Sequence, residues 1–290
     1  RRQQNVVKSI ETLVEDIYSL FNNVEEIQID QKHIDAFADG VTRSVVSAIS
    51  EVRKEREPNL RLSLVGHQDR KIWYEMKGVK KEPLSSPTLI KFLYGHIIEE
   101  LLILFTKVAG HEIKEEQAEL YVNGVKGHKD ATVDNVLVDF KSASSYSFKK
   151  FKDGSILTDD PFGYIAQLSS YAEADSASKA GFIVIDKSSG ELCYCPLDEM
   201  DMINPVSRID NIREFLKSDT PPKKCYDPVA DGASGNYKLS VGCNFCDYKH
   251  TCWSDANNGQ GIRTFMYSNG PKNLVEVART PNVPEVTNNA

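Results

Sequence analysis

The chain has 290 residues, enough to bury the core of one large domain or two modest ones. An apolar share of 40% and a charged share of 27% exclude a disordered or fibrous protein, and a longest apolar run of Leu101–Phe105 falls far short of a membrane helix. The formal charge of −7, from 35 basic and 42 acidic residues, excludes a polycation that coats nucleic acid but leaves room for a local basic groove.

Residues 1–57 read as two helices. Val6, Val7, Ile10, Leu13, Val14, Ile17, Leu20 and Phe21 fall at helical spacing, and Ile34, Phe37, Val41, Val45 and Ile49 do so again. A helix start carrying Arg61, Arg70 and Lys71 follows. The next helix is expected over about 87–109, with Ser86 as N-cap, Pro87 in the first turn and Gly110 at the C-terminal end. It is apolar nearly all round and is therefore predicted to be buried, which makes Glu99 and Glu100 conspicuous within it.

Strands are predicted at Ala118–Val122 and Val125–Ala131 around Asn123-Gly124, then from Val136 to Lys141 after an Asp134-Asn135 turn. A polar loop at Ser142–Ser155 leads to a helix at about Pro161–Ala174. Strands at Gly181–Asp186 and Glu191–Pro196 and a helix at about Pro205–Lys217 come next, and an extended tail is expected from about residue 256. The expected fold class is α/β, a mixed central sheet flanked by helices. The expected organisation is an N-terminal helical lobe over 1–60, a core over 61–220, a cysteine segment over 221–255 and the tail over 256–290.

Residues two apart on a strand share a face, so Asp139 and Lys141 project together, and an antiparallel neighbour can bring Asp130 to the same point. Carboxylates converging on one spot repel unless a cation lies between them, and oxygen-only ligation suits Mg²⁺ or Mn²⁺. A lysine beside such an ion can orient water and neutralise charge developing on a phosphate. A lone Asp-x-Lys is a weak signal. The ordered set Gly95-x3-Glu99, Gly127-x2-Asp130, Asp139-x-Lys141 and Gln167-x3-Tyr171 is a stronger one. Gln167 and Tyr171, four apart on a helix, share a side of it. Whether Glu99 or Glu100 belongs to this set, and whether Tyr171 acts directly or packs in the core, are both left open.

Six cysteines are present. Cys193 and Cys195 alternate on a predicted strand and are read as ordinary residues, whereas Cys225, Cys243, Cys246 and Cys252 are clustered. No basic stretch followed by an apolar one opens the chain, so a reducing, cytoplasmic setting is expected, where clustered thiols bind metal more often than they pair. The first residue is not Met, so the chain is expected to begin within a longer polypeptide. Between Lys141 and Lys152 lie Lys149 and Lys150 and no acid, with Tyr146, Phe148 and Phe151 interleaved. That mixture suits a nucleic-acid strand, with a solvated loop as the alternative. Arg61, Arg70 and Lys71 are candidates for a second DNA-contacting wall. None of these spacings suggests reading of base edges, so little sequence specificity is expected.

With these motifs in place, the chain resembles the PD-(D/E)xK nuclease superfamily, and within it the RecB-type nuclease domains that include phage-encoded and CRISPR-associated iron–sulfur exonucleases. The likeness to phage exonucleases runs through Leu62-Ser-Leu-Val-Gly-His-Gln-Asp-Arg-Lys-Ile-Trp-Tyr-Glu75 and from Asp231-Gly-Ala-Ser-Gly-Asn236 to Cys252-Trp253, and the core match spans about residues 60–255. The resemblance implies a restriction-endonuclease-like fold. It implies a Mg²⁺- or Mn²⁺-dependent deoxyribonuclease acting from DNA ends in phage replication or recombination, in the host cytoplasm if phage-encoded. On this likeness Glu99, Asp130 and Asp139 are metal ligands with the Phe140 carbonyl, Lys141 is the catalytic lysine, and Gln167 and Tyr171 help hold DNA. The four clustered cysteines would carry a [4Fe–4S] cluster or, alternatively, a structural Zn²⁺. In the CRISPR-associated relatives one cluster-binding cysteine precedes the core; here the stretch around Gly66–Lys71 has none, and Cys225 is the substitute. A structure-specific endonuclease, a non-catalytic DNA-binding protein on a decayed nuclease fold, and assembly into a homo-oligomer are further expectations left open.

Overall fold

The computed structural model describes residues 8–22, 27–50 and 57–286. Its helices are α1 (Leu13–Asn22), α2 (Gln31–Ser50), α3 (Leu62–Val65), α4 (Asp69–Met76), α5 (Ser86–Val108), α6 (Ser145–Lys152), α7 (Tyr164–Asp175), α8 (Pro205–Leu216), α9 (Val241–Asn244) and α10 (Lys249–Cys252). Its strands are β1 (Ile113–Lys114), β2 (Glu119–Val122), β3 (Val125–His128), β4 (Ala131–Val133), β5 (Val136–Ala143), β6 (Ala180–Asp186) and β7 (Leu192–Leu197). They continue with β8 (Val229–Ala230), β9 (Tyr237–Lys238), β10 (Arg263–Tyr267), β11 (Gly270–Glu276) and β12 (Glu285–Val286). Val6 and Val7 of the expected first helix lie outside the described residues. Among the described residues no helix is long and apolar enough to cross a membrane.

The chain divides into two compact units, one of residues 1–66 with 84–210, the other of residues 67–83 with 211–290. The first is built on a mixed sheet ordered β1-β4-β5-β6-β7, in which β5 and β6 are parallel and the other pairs antiparallel. Alternation along β5 and β6 sorts the core. Phe140 and Ile183 join Leu13 and Ile17 of α1 and Leu102 and Ile103 of α5 in one cluster. Phe182 points the other way, where the Phe151 ring meets it edge-on at 5.3 Å and also approaches Tyr164 at 5.9 Å. Helices α1 and α5 thus cover one face of the sheet, α6 and α7 the other.

Both turns expected from sequence form with positive φ at their central residues, Asn123 at 47° with Gly124 at 74°, and Asp134 at 48° with Asn135 at 66°. The first closes a separate β2–β3 ribbon. The second joins β4 to β5. Asp134 does more than turn the chain. Its carboxylate accepts from the Glu112 amide at 3.0 Å and lies 2.6 Å from Nδ1 of buried His111, whose Nε2 is 3.2 Å from Asp16 on α1. That clasp fixes the entry to β5, and β5 carries the acidic pair.

Four expectations are corrected. The stretch from Val125 to Ala131 is not one strand: β3 ends at His128, and Ala131 begins β4 in the main sheet. Lys129 occupies the break, fully buried between Glu115 and Asp175. The polar loop is the helix α6, capped by Ser144, with Phe148 and Phe151 on its inner side. The N-cap of α5 is Ser85, one residue earlier than expected, and its amino-terminal half carries exposed Ile90, Phe92 and Tyr94, while the carboxyl-terminal half buries Leu102 and Ile103 with Phe140 and Ile183 of the sheet. The expected tail supplies β10, β11 and β12, which with β8 and β9 make the sheet of the second unit.

Candidate active site

Strand β5 presents Asp139 and Lys141 on one side, and their charged ends meet, Asp139 Oδ2 lying 2.5 Å from Lys141 Nζ. The antiparallel register Ala131↔Val138 places the preceding residue, Asp130, opposite Asp139. Asp130 Oδ2 accepts from the Phe140 amide at 2.9 Å, so the carboxylate extends the ladder where β4 has not yet begun. Glu99 arrives from α5 and accepts from Gln117 Nε2 at 3.0 Å. Its neighbour Glu100 faces away, toward Gly40 and Arg43 of α2, whereas Glu99 is the one electrostatically linked to Asp139.

Electrostatics bind the set together. Burial and then the neighbouring Asp139 charge push the Glu99 carboxyl up to about 7, with Lys141 acting in the opposite direction. Burial, Asp139 and Glu99 also push Asp130 well above the ordinary carboxylate range. Lys141 is held more firmly protonated than a free lysine: burial opposes its charge, but Asp139 and Asp130 outweigh it. Asp139 is 2% exposed, and neither carboxylate oxygen receives a hydrogen bond of acceptable angle; the Lys141 contact is an ion pair without that alignment.

Gln167 Nε2 donates to Tyr171 Oη at 3.1 Å, as their spacing on one side of α7 predicts. Tyr171 is buried, and its hydroxyl is pushed up to about 12 by burial and then by Asp139. It packs against Gly127, where a Cβ would fall 2.8 Å from Tyr171 Cε1, so the glycine admits the ring beneath the acids. Sequence reasoning missed two neighbours. The Tyr164 ring centroid lies 5.2 Å from Lys141 Nζ, and its spacing to Gln167 and Tyr171 along α7 was the available signal. Gln117 had no such signal, because it lies in a loop.

The proposed DNA-contacting residues are distributed differently from the expectation. Phe148 and Phe151 are core residues, and of the three interleaved rings only Tyr146 is exposed, at 74%. Lys150 pairs with Asp159 and Lys152 with Glu191, while Lys149 is exposed. Arg61 forms an isolated parallel β-bridge with Lys126 in the first unit. Arg70 and Lys71 belong to the second unit. There Arg70 donates to the Pro222 carbonyl at 2.6 Å and to Tyr74 Oη at 3.2 Å, and the Lys71 amide is a hydrogen-bond partner of the Cys225 thiol.

Those last contacts frame the second candidate centre. Cys225, Cys243, Cys246 and Cys252 all lie in the second unit, with none in a disulfide. Burial pushes the Cys225 thiol up to about 11, and Cys252, Cys246 and Cys243 add to the effect. Burial likewise raises Cys246 and Cys252, the latter opposed by Arg70. Cys193 and Cys195 lie on β7 in the first unit, where burial raises them to about 12 and about 11 and leaves them inert thiols.

Among the described residues, no three His, Cys, Asp or Glu side chains stand close enough to enclose a metal ion as placed. The donor chemistry nevertheless suits two different ions. Asp139 offers two buried oxygens without hydrogen bonds beside the carboxylates of Asp130 and Glu99, a set that fits a hard divalent cation. Four free thiols, Cys243 buried and Cys225, Cys246 and Cys252 partly so, fit a thiophilic one.

No family model and no curated protein matches the chain. Among solved structures, the alkaline exonuclease LHK-Exo from Laribacter hongkongensis is similar at 13% identity over 56% of this chain and 89% of its own, with a TM-score of 0.40. A phage-related exonuclease from Haemophilus somnus 129PT is similar at 14% identity over 56% and 92%, with a TM-score of 0.38. The protein SSO0001 is similar at 14% identity over 73% and 93%, with a TM-score of 0.39.

Proposed function

We propose that the chain is a metal-dependent deoxyribonuclease that hydrolyses phosphodiester bonds from DNA ends, acting in phage replication or recombination. The observation that carries this reading is the electrostatic coupling of the Glu99, Asp130 and Asp139 carboxylates to one another and to Lys141, with two Asp139 oxygens buried and without hydrogen bonds. Carboxylates so arranged destabilise one another and favour a divalent cation over a second proton. Glu99, Asp130, Asp139 and the Phe140 carbonyl would hold Mg²⁺ or Mn²⁺, which when bound supplies Lewis-acid polarisation of a phosphate and an acidified water.

The chain's own residues do the rest. Lys141, kept protonated by Asp139 and Asp130, donates hydrogen bonds that orient the attacking water and offset charge growing on the phosphate. Asp130, anchored by the Phe140 amide, fixes the spacing of the acids. Tyr171 and Gln167 are positioning residues: the buried ring supports the floor under Asp139, and Gln167 holds the ring's hydroxyl. Cys225, Cys243, Cys246 and Cys252 would hold an iron–sulfur cluster or Zn²⁺, which would act as a staple for the second unit.

The test is digestion of end-labelled linear DNA with and without Mg²⁺, beside a closed circular control. Loss of label from linear DNA alone supports an exonuclease. Nicking of the circle moves the reading to an endonuclease, and no cleavage with either Mg²⁺ or Mn²⁺ leaves a DNA-binding protein on a nuclease fold.

A further inference from the structure

The amino-terminal half of α5 is apolar yet exposed, with Ile90, Phe92 and Tyr94 at 49%, 55% and 55%. We propose that this half-helix is a track for a single-stranded end of the DNA substrate. On it the Phe92 ring stacks a nucleobase, and bare Gly95 is the saddle over which the sugar–phosphate backbone passes toward Glu99. The inference rests on the nuclease reading above and deepens it.

Helix geometry supplies the first reason. Phe92 precedes Glu99 by seven residues, a rotation within about 20° of two full turns, so both side chains leave the same side of α5 about 10.5 Å apart along its axis. At about 3.4 Å per nucleotide that is roughly three stacked nucleotides from the scissile phosphate, and fewer on an extended strand. Gly95 lies on this line, about one turn from each.

Packing does not explain that glycine. Glycine in mid-helix weakens the helix relative to alanine. At Gly40, crowding by α5 accounts for it, because a Cβ there would fall 2.2 Å from Glu100 Cδ. At Gly95, among the described residues, an added Cβ would meet only Ser142 Oγ, at an ordinary 3.7 Å. The missing side chain keeps a lane open between Phe92 and Glu99. Ser142 follows Lys141 directly on β5, so the lane runs beside the strand that carries the acids.

Charge favours a nucleic-acid occupant over an apolar one. No acid occurs from Pro83 to Ile98, and the exposed polar side chains flanking Phe92 and Gly95 are Lys91 and His96. Along α5 itself a phosphate chain meets no acid until it reaches Glu99. Stacking on one ring accepts any base, in keeping with little sequence preference.

The test uses the full chain with Lys141→Ala as parent, so that Mg²⁺ is present while DNA stays intact. Binding is read by anisotropy, and stacking by quenching of a fluorescent adenine analogue near the end of a single-stranded oligonucleotide. Phe92→Ala is expected to weaken binding on the order of 10-fold and abolish quenching, and Phe92→Trp to restore both. Gly95→Ala is expected to keep or raise the melting temperature while weakening binding. In the chain with Lys141 intact, Phe92→Ala is expected to raise KM and leave kcat unchanged. Unaltered binding and quenching in Phe92→Ala, while the wild-type chain cuts DNA, would overturn the track alone. So would a wild-type chain that is dimeric in solution and a Phe92→Ala chain that is monomeric with DNA affinity intact, which would assign the surface to a second copy of the chain. A wild-type chain that neither binds nor cuts DNA would overturn the nuclease reading and the track together.

Discussion

Replacing Glu99 with Gln separates function from stability in a way that follows from the site's electrostatics. Gln keeps the shape and can still meet Gln117, but it cannot ionise. In the metal-free fold the Glu99 carboxyl stands at about 7 instead of 4.5, for reasons of burial and the Asp139 charge. The folded state therefore binds this proton more tightly than the unfolded chain, and stability falls as pH rises from about 4.5 to about 7, then levels off. The full shift is equivalent to about 3 kcal/mol at about 1.4 kcal/mol per pH unit, and solvent access to this half-buried group reduces it to about 1–2 kcal/mol. Urea denaturation in EDTA should find Glu99→Gln level with wild type near pH 4.5 and about 1–2 kcal/mol more stable at pH 8. Mg²⁺ should then stabilise wild type by mass action and leave the variant nearly unchanged. A variant equally or less stable than wild type at pH 8, or one with the same difference at both pH values, would refute the reasoning.

Lys141→Ala should abolish cleavage while largely retaining DNA affinity in an electrophoretic shift assay, because the lysine acts on water and phosphate charge. Asp139→Asn should weaken Mg²⁺ binding by calorimetry, and unchanged affinity would remove it from the ligand set. Phe151→Ala should cost about 3–5 kcal/mol of stability by denaturant titration, since its ring fills the space between Phe182 and Tyr164, whereas Lys149→Ala on the outer side of the same helix should leave stability within about 0.5 kcal/mol. Cys243→Ser should lower the bound iron or zinc measured by elemental analysis and the melting temperature together; metal content unaffected by the change would dissociate Cys243 from that centre.

The local devices of this fold were legible in the residues themselves. Asn123-Gly124 and Asp134-Asn135 can adopt the positive φ that tight hairpins require, and period-two alternation dictates that Asp139 and Lys141 leave β5 on one side while Phe140 enters the core. Gln167 and Tyr171 were bound to meet by their helical spacing. Other features depended on what each segment packs against, which no short window of sequence contains. The lysine-rich stretch after β5 became a helix packed on the core because Phe182 and Tyr164 receive the Phe151 ring. Half of α5 stayed exposed because only its carboxyl-terminal half packs Leu102 and Ile103 with Phe140 and Ile183 of the sheet. Arg61 belongs to one compact unit and Arg70 and Lys71 to the other, because the boundary between the units falls just after Gly66. Glu99 and Glu100 are identical as residues and adjacent in the chain. A rotation of about 100° about the helix axis turns one toward Asp139 and the other toward α2, and only packing against the sheet could set that rotation.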